Sequence, residues 1–124
     1  MNLVDSCGWV EYFTDGPNSD WFRPAIEETE NLLVPTLVIF EVFKRLIQTI
    51  DEETALEAVA TMTEGRVVEL DTPVALLAAR LSLEHRLPLA DSVILATAHL
   101  YGATVWTEDS HFEGLPSVKY VRKH

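Results

Sequence analysis

Between Leu89 and Leu100 the chain reads Leu-Ala-Asp-Ser-Val-Ile-Leu-Ala-Thr-Ala-His-Leu, a run that is almost wholly apolar or small. Pro88 fixes φ and donates no N–H, which suits the start of a helix, and Gly102 suits its end. A helix this apolar on every side has no face to give to water, so it must be buried. Its alanines allow close approach to a sheet. Its first turn carries one carboxylate, Asp91, which could complement the helix dipole or belong to a site assembled from elsewhere in the chain.

The segments around it say what buries it. Short apolar runs at Asn2–Val4, Asn31–Pro35, Arg66–Leu70, Ala103–Thr107 and Val118–Val121 read as strands. An aromatic segment, Trp9 to Phe13, follows Gly8 and is broken at Asp15-Gly16-Pro17-Asn18. Helical spacing predicts a helix from Asp20 to Glu30 with Pro24 near its start, and another to Ile50 with Thr36 as N-cap. Two more run from Asp51 to Met62 and from Thr72-Pro73 to His85. Strands alternating with helices predict an α/β fold, a three-layer α/β/α arrangement around a mainly parallel sheet of four to five strands.

A chain of 124 residues is expected to form one domain, 1–124. The lone Cys7 excludes an internal disulfide and, by itself, a zinc site. The longest apolar run, Leu32 to Phe40, is far short of the roughly 18 residues a membrane span needs. No basic segment opens the chain, so no secretory signal is expected and the expected location is the cytoplasm. The formal net charge of −11 is unlike that of a nucleic-acid binder with a basic footprint. It fits a protein whose carboxylates hold a metal, or one half of a complex with a basic partner.

In an open α/β sheet, ligands bind at the carboxyl ends of the strands, near the reversal of strand order. Asp5 ends the first strand, Asp109 follows the fourth, and Glu41 and Asp91 lie early in helices leaving that edge. Each has an ordinary explanation: a turn residue for Asp5 and Asp109, an i,i+4 partner of Arg45 for Glu41. Glu41, however, sits between Phe40 and Val42, an odd place for a surface charge. Two carboxylates about 4 Å apart repel by roughly 4 kcal/mol at an effective dielectric of about 20. Four together need a cation, and oxygen donors select Mg²⁺ or Mn²⁺ over Zn²⁺. The expected chemistry is metal-assisted hydrolysis of a phosphodiester.

The order Asp5-Ser6, Glu41, Leu87-Pro88-Leu89-Ala90-Asp91 and Thr107-Glu108-Asp109-Ser110-His111-Phe112 resembles the PIN domain, in particular the VapC-like toxins of toxin–antitoxin pairs. The likeness runs from Asn2 to Val121. It implies a Mg²⁺- or Mn²⁺-dependent ribonuclease, often dimeric, restrained by a small antitoxin. Asp5, Glu41, Asp91 and Asp109 match the family's acidic positions, Thr107 a supporting hydroxyl, and Ser6 a small polar neighbour. Glu108 departs from the pattern: it adds a negative charge that could weaken RNA binding or face solvent.

RNA contacts would fall to Lys44, Arg45 and Arg86, with Arg122 and Lys123 as further candidates. Trp9, Trp21 and Trp106 have apolar neighbours and read as packing residues. Cys7 reads as a packed side chain and His111 as an exposed loop histidine. Other readings are a PIN-like scaffold without activity, or a receiver-like phosphoacceptor using Asp71. The second lacks an acidic pair at the first strand and a lysine ending the last. A haloacid-dehalogenase-like phosphatase would need an Asp where Cys7 stands. Retention of all four carboxylates favours an active enzyme over the scaffold.

Overall fold

A computed structural model describes residues Met1–His124. Strands β1 (Asn2–Val4), β2 (Leu32–Pro35), β3 (Arg66–Val68), β4 (Thr104–Thr107) and β5 (Val118–Tyr120) form one sheet in the order β3-β2-β1-β4-β5. Every pairing is parallel, with Leu3 opposite Leu33 on one side and Val105 on the other. The chain builds outward from β1 to β3, then crosses to the far side for β4. The reversal of strand order therefore lies between β1 and β4, and the crevice it creates opens at their carboxyl ends.

Six helices cover the sheet: α1 (Ser6–Thr14), α2 (Ser19–Glu27), α3 (Thr36–Thr49), α4 (Glu52–Met62), α5 (Thr72–His85) and α6 (Leu89–Tyr101). Right-handed crossovers put α1 to α4 on one face and α5 and α6 on the other. The packing of α1 on α3 and of α5 on α6 agrees. The α6 helix is buried without interruption from Asp91 to Ala98, as its composition demands, while Leu89 and Leu100 at its ends are exposed.

Several local expectations are corrected. The helix containing Trp9 begins at Ser6, directly after β1, because the Asp5 side chain caps it by accepting from the Ser6 N–H at 2.8 Å. Thr36 is the first residue of α3 and makes no capping bond; Pro35, with φ −66°, precedes it. Pro24 lies inside α2, which stops at Glu27 before a 3₁₀ turn at Thr29–Asn31. β3 ends at Val68, two residues early, and Asp71 caps α5 by accepting from the Val74 N–H at 3.1 Å. That capping role accounts for Asp71 without phosphoacceptor chemistry. Trp9 is fully buried in the core, whereas Trp21 and Trp106 pack on each other with ring centroids 5.1 Å apart.

Candidate active site

Asp5 stands at the crevice because β1 ends there and α1 starts there. Its two oxygens are held from opposite sides. Oδ1 accepts from the Ser6 N–H, and Oδ2 accepts from the Thr107 hydroxyl at 2.8 Å. Thr107 ends β4, is fully buried, and its Oγ1 in turn accepts from the Asp109 N–H at 2.9 Å. One hydroxyl thus ties the ends of the two strands that flank the switch point and fixes Asp5 relative to Asp109. The Cys7 thiol lies 3.7 Å from Asp5 Oδ2 and 3.6 Å from Thr107 Oγ1. Burial and the Asp5 charge push this thiol well up, which leaves it inert as a nucleophile.

Asp109 caps a 3₁₀ turn, Ser110–Phe112, by accepting from the His111 N–H at 2.9 Å, and Phe112 plugs that turn into the core with no exposure. The turn carries the His111 ring to Asp91. Its Nδ1 lies 2.8 Å from Asp91 Oδ2 and 3.3 Å from Asp109 Oδ1. The contact with Asp91, followed by the Asp109 charge, raises the His111 pKa. Asp91 occupies the first turn of α6, and Glu41 faces the same point from the second turn of α3.

The electrostatics record how closely these groups converge. Burial pushes the Asp5 pKa up to about 6 against its two hydrogen bonds, with Asp91 and Asp109 adding repulsion. Burial likewise raises Glu41 to about 7, helped by Asp5, Asp91 and Asp109 and opposed by Ser6. Asp91 is raised by burial and by Asp109, and lowered by His111. Glu41 Oε1 is buried with no hydrogen-bond partner. Four carboxylates that repel one another, one with an orphaned buried oxygen, are a donor set short of positive charge. Hard divalent cations with oxygen ligands fit such a set. Asp91, Asp109 and His111 have ligand atoms within 4.8 Å of one another, close enough to share an ion.

A cleft of about 490 Å³ runs from Ser6, Cys7 and Glu41 along α1 and α3, where Lys44, Arg45 and Lys123 line it. A second depression is lined by Cys7, Asp109, Ser110, Arg122 and Lys123. The carboxyl edge thus has an acidic centre flanked by cations. Arg86 is not among the residues lining either one; it ends α5 in the left-handed conformation, at φ 56°.

His111, expected near the site two residues after Asp109 but as an exposed loop histidine, is exposed and yet held against Asp91. One buried residue carried no signal in the pattern. Asn18, assigned to a chain break, is buried and donates to Glu108 Oε1 at 2.9 Å and to the Arg122 carbonyl at 3.1 Å. Glu108 is therefore almost wholly buried, and what remains exposed lies in the walls of both depressions. It is buried beside Glu11, whose own pKa is raised by burial and by Glu108.

Fold and site define a parallel α/β protein with a cation-seeking carboxylate centre at the topological switch point. The PIN domain family model matches residues 3–117, and the chain belongs to that family. No curated protein matches the sequence significantly. Among solved structures, a toxin–antitoxin complex from Klebsiella pneumoniae aligns with TM-score 0.79 at 23% identity, covering 96% of both chains. VapC20 of Mycobacterium tuberculosis, described as a sarcin–ricin loop cleaving toxin, aligns with TM-score 0.81 at 17% identity, covering 99% of this chain and 100% of that one. DNA-bound VapBC from Salmonella typhimurium aligns with TM-score 0.75 at 17% identity, covering 98% of each. These likenesses establish a shared fold.

Proposed function

We propose that the chain, as one domain, is a divalent-cation-dependent endoribonuclease and the toxin of a toxin–antitoxin pair. The observation that carries this reading is the convergence of Asp5, Glu41, Asp91 and Asp109 on one point, with the pKa values of Asp5, Glu41 and Asp91 raised and Glu41 Oε1 unpartnered. The descriptions of the solved relatives support it: a toxin–antitoxin complex from Klebsiella, DNA-bound VapBC from Salmonella and a sarcin–ricin loop cleaving toxin from Mycobacterium.

In this reading the four carboxylates hold Mg²⁺ or Mn²⁺. When bound, the ion supplies the positive charge that stabilises the developing charge on a phosphodiester. The residues divide the remaining work. Thr107 and the Ser6 N–H lock Asp5 in one orientation. Glu41 Oε1, buried and without a hydrogen-bond partner, is an oxygen left available to the ion. Lys44, Arg45 and Lys123 receive the RNA backbone along the cleft, offsetting the net charge of −11.

Two partners follow. A basic antitoxin segment would neutralise the acidic cleft and block it. A second copy of the chain would cover the apolar face of α5, where Leu76 is 65% exposed and Leu83 is 85% exposed, next to Leu89 at 79%. No helix is long and apolar enough to cross a membrane, and an RNA-cutting toxin would act in the cytoplasm. The direct test incubates antitoxin-free protein with structured RNA in Mg²⁺, Mn²⁺ or chelator, beside Asp91→Asn. Metal-dependent cutting that falls by about 10²-fold or more in the variant is expected. Equal cutting by both would refute the site. No cutting by wild type in either metal would leave the scaffold reading ahead.

A further inference from the structure

His111 is the one nitrogen donor at the carboxylate centre, and no reading based on four acidic residues uses it. We propose that His111 Nδ1 is a direct ligand of the bound cation, so that Asp91, Asp109 and His111 form a mixed nitrogen–oxygen corner that favours Mn²⁺ over Mg²⁺. The inference rests on the cation-dependent reading above and deepens it.

The distances have the scale of a coordination shell. Ligands about 2.1 Å from an octahedral ion lie about 3 Å from their neighbours. Nδ1 is 2.8 Å from Asp91 Oδ2 and 3.3 Å from Asp109 Oδ1, on either side of that value. The mount is stiff: the His111 N–H is bonded to Asp109 Oδ1, and the adjacent Phe112 is fully buried. The ring therefore reaches the carboxylates without reorganising the chain. Its side chain is 55% exposed, so a proton displaced from Nδ1 has a direct way out to water.

The choice of ion follows from the donor. Imidazole suits transition metals, whereas Mg²⁺ prefers oxygen ligands and retained waters. An all-carboxylate centre would separate Mn²⁺ from Mg²⁺ weakly; a nitrogen in the shell widens the gap.

A rival role predicts the opposite behaviour. A protonated His111 could sit in the cation's place as a substitute charge, and removing it would then tighten metal binding. The experiment compares metal-free wild type, His111→Ala and His111→Gln by calorimetric titration with Mn²⁺ and with Mg²⁺. Electron spin-echo spectroscopy of the Mn²⁺-loaded proteins accompanies it. We expect ¹⁴N modulation from a directly bound imidazole in wild type and none in either variant. Mn²⁺ affinity should fall about tenfold in the variants, with Mg²⁺ affinity changing less than about threefold. Mn²⁺ bound to wild type without nitrogen coupling would overturn the proposal and leave the cation-dependent reading standing. Variants that bind Mn²⁺ as tightly as wild type, or more tightly, would do the same. Failure of both ions to bind wild type would overturn the two together.

Discussion

Glu41 offers a test of whether the carboxylate centre is charged against its own interest. Its pKa rises from 4.5 to about 7, first through burial and then through Asp5. A raised folded-state pKa means that the native protein holds this proton longer than the unfolded chain does. Stability is therefore full below about pH 4.5, falls as the pH rises through about 7, and stays reduced above it. At about 1.4 kcal/mol per pKa unit the full shift would be worth about 3 kcal/mol. Glu41 is only partly shielded from solvent, which reduces the expected cost to about 1–2 kcal/mol. Glu41→Gln removes the charge and keeps the shape. In chelator at pH 8 the variant should be more stable than wild type by that amount, a rise in Tm of about 3–8 °C. At pH 4.5 the difference should vanish. Thermal and urea unfolding at both pH values measure it. A variant no more stable than wild type at pH 8, or equally stabilised at pH 4.5, would refute the electrostatic argument.

Thr107→Val should cost about 1–3 kcal/mol in urea unfolding, because Asp5 and the Asp109 N–H both lose a buried partner. The same variant should cut RNA more slowly through loss of Asp5 alignment, with little change in RNA binding. Phe112→Ala should destabilise by about 3–5 kcal/mol, since the ring is fully buried, and should loosen the turn that carries His111. Leu83→Arg should halve the mass seen by light scattering if α5 forms the self-association surface, while unfolding stays near wild type because Leu83 is 85% exposed.

Much of the architecture was legible because it depended on periodicity that only burial explains. The uninterrupted apolar character of α6 demanded a covering sheet, and short strands separated by helices demanded parallel pairing. The four acidic positions were legible as a group because the carboxyl edge of a parallel sheet is where side chains distant in sequence meet. What escaped was set by local hydrogen bonds that leave no periodic trace. The capping of α1 by Asp5 moves the helix start to the strand end, and pattern alone could not separate a cap from a turn residue. Asn18 looked like any residue in a chain break. Its partner Glu108 is 90 residues away, and only the folded chain brings Nδ2 to Oε1.

The burial of Glu108 changes what the net charge means for substrate. A formal charge of −11 suggests a surface that repels RNA, yet charges count by position. Glu108 is buried against Asn18, and burial together with the Glu108 charge raises the pKa of Glu11 beside it. Asp5, Glu41 and Asp91 are raised as well, and His111 stands against Asp91. Several carboxylates near the cleft are thus buried or paired, and Lys44, Arg45 and Lys123 line it beside Glu11, Glu41 and Glu108. Beyond the carboxylate centre the local field is therefore less negative than the total implies. In the proposed reading a polyanion would meet only those few cations and the central ion, so its affinity should rest on few phosphate contacts and its salt dependence should be shallow. In the proposed reading, a basic partner segment would meet the same carboxylates with its own cations, and one acidic centre would serve both catalysis and its restraint.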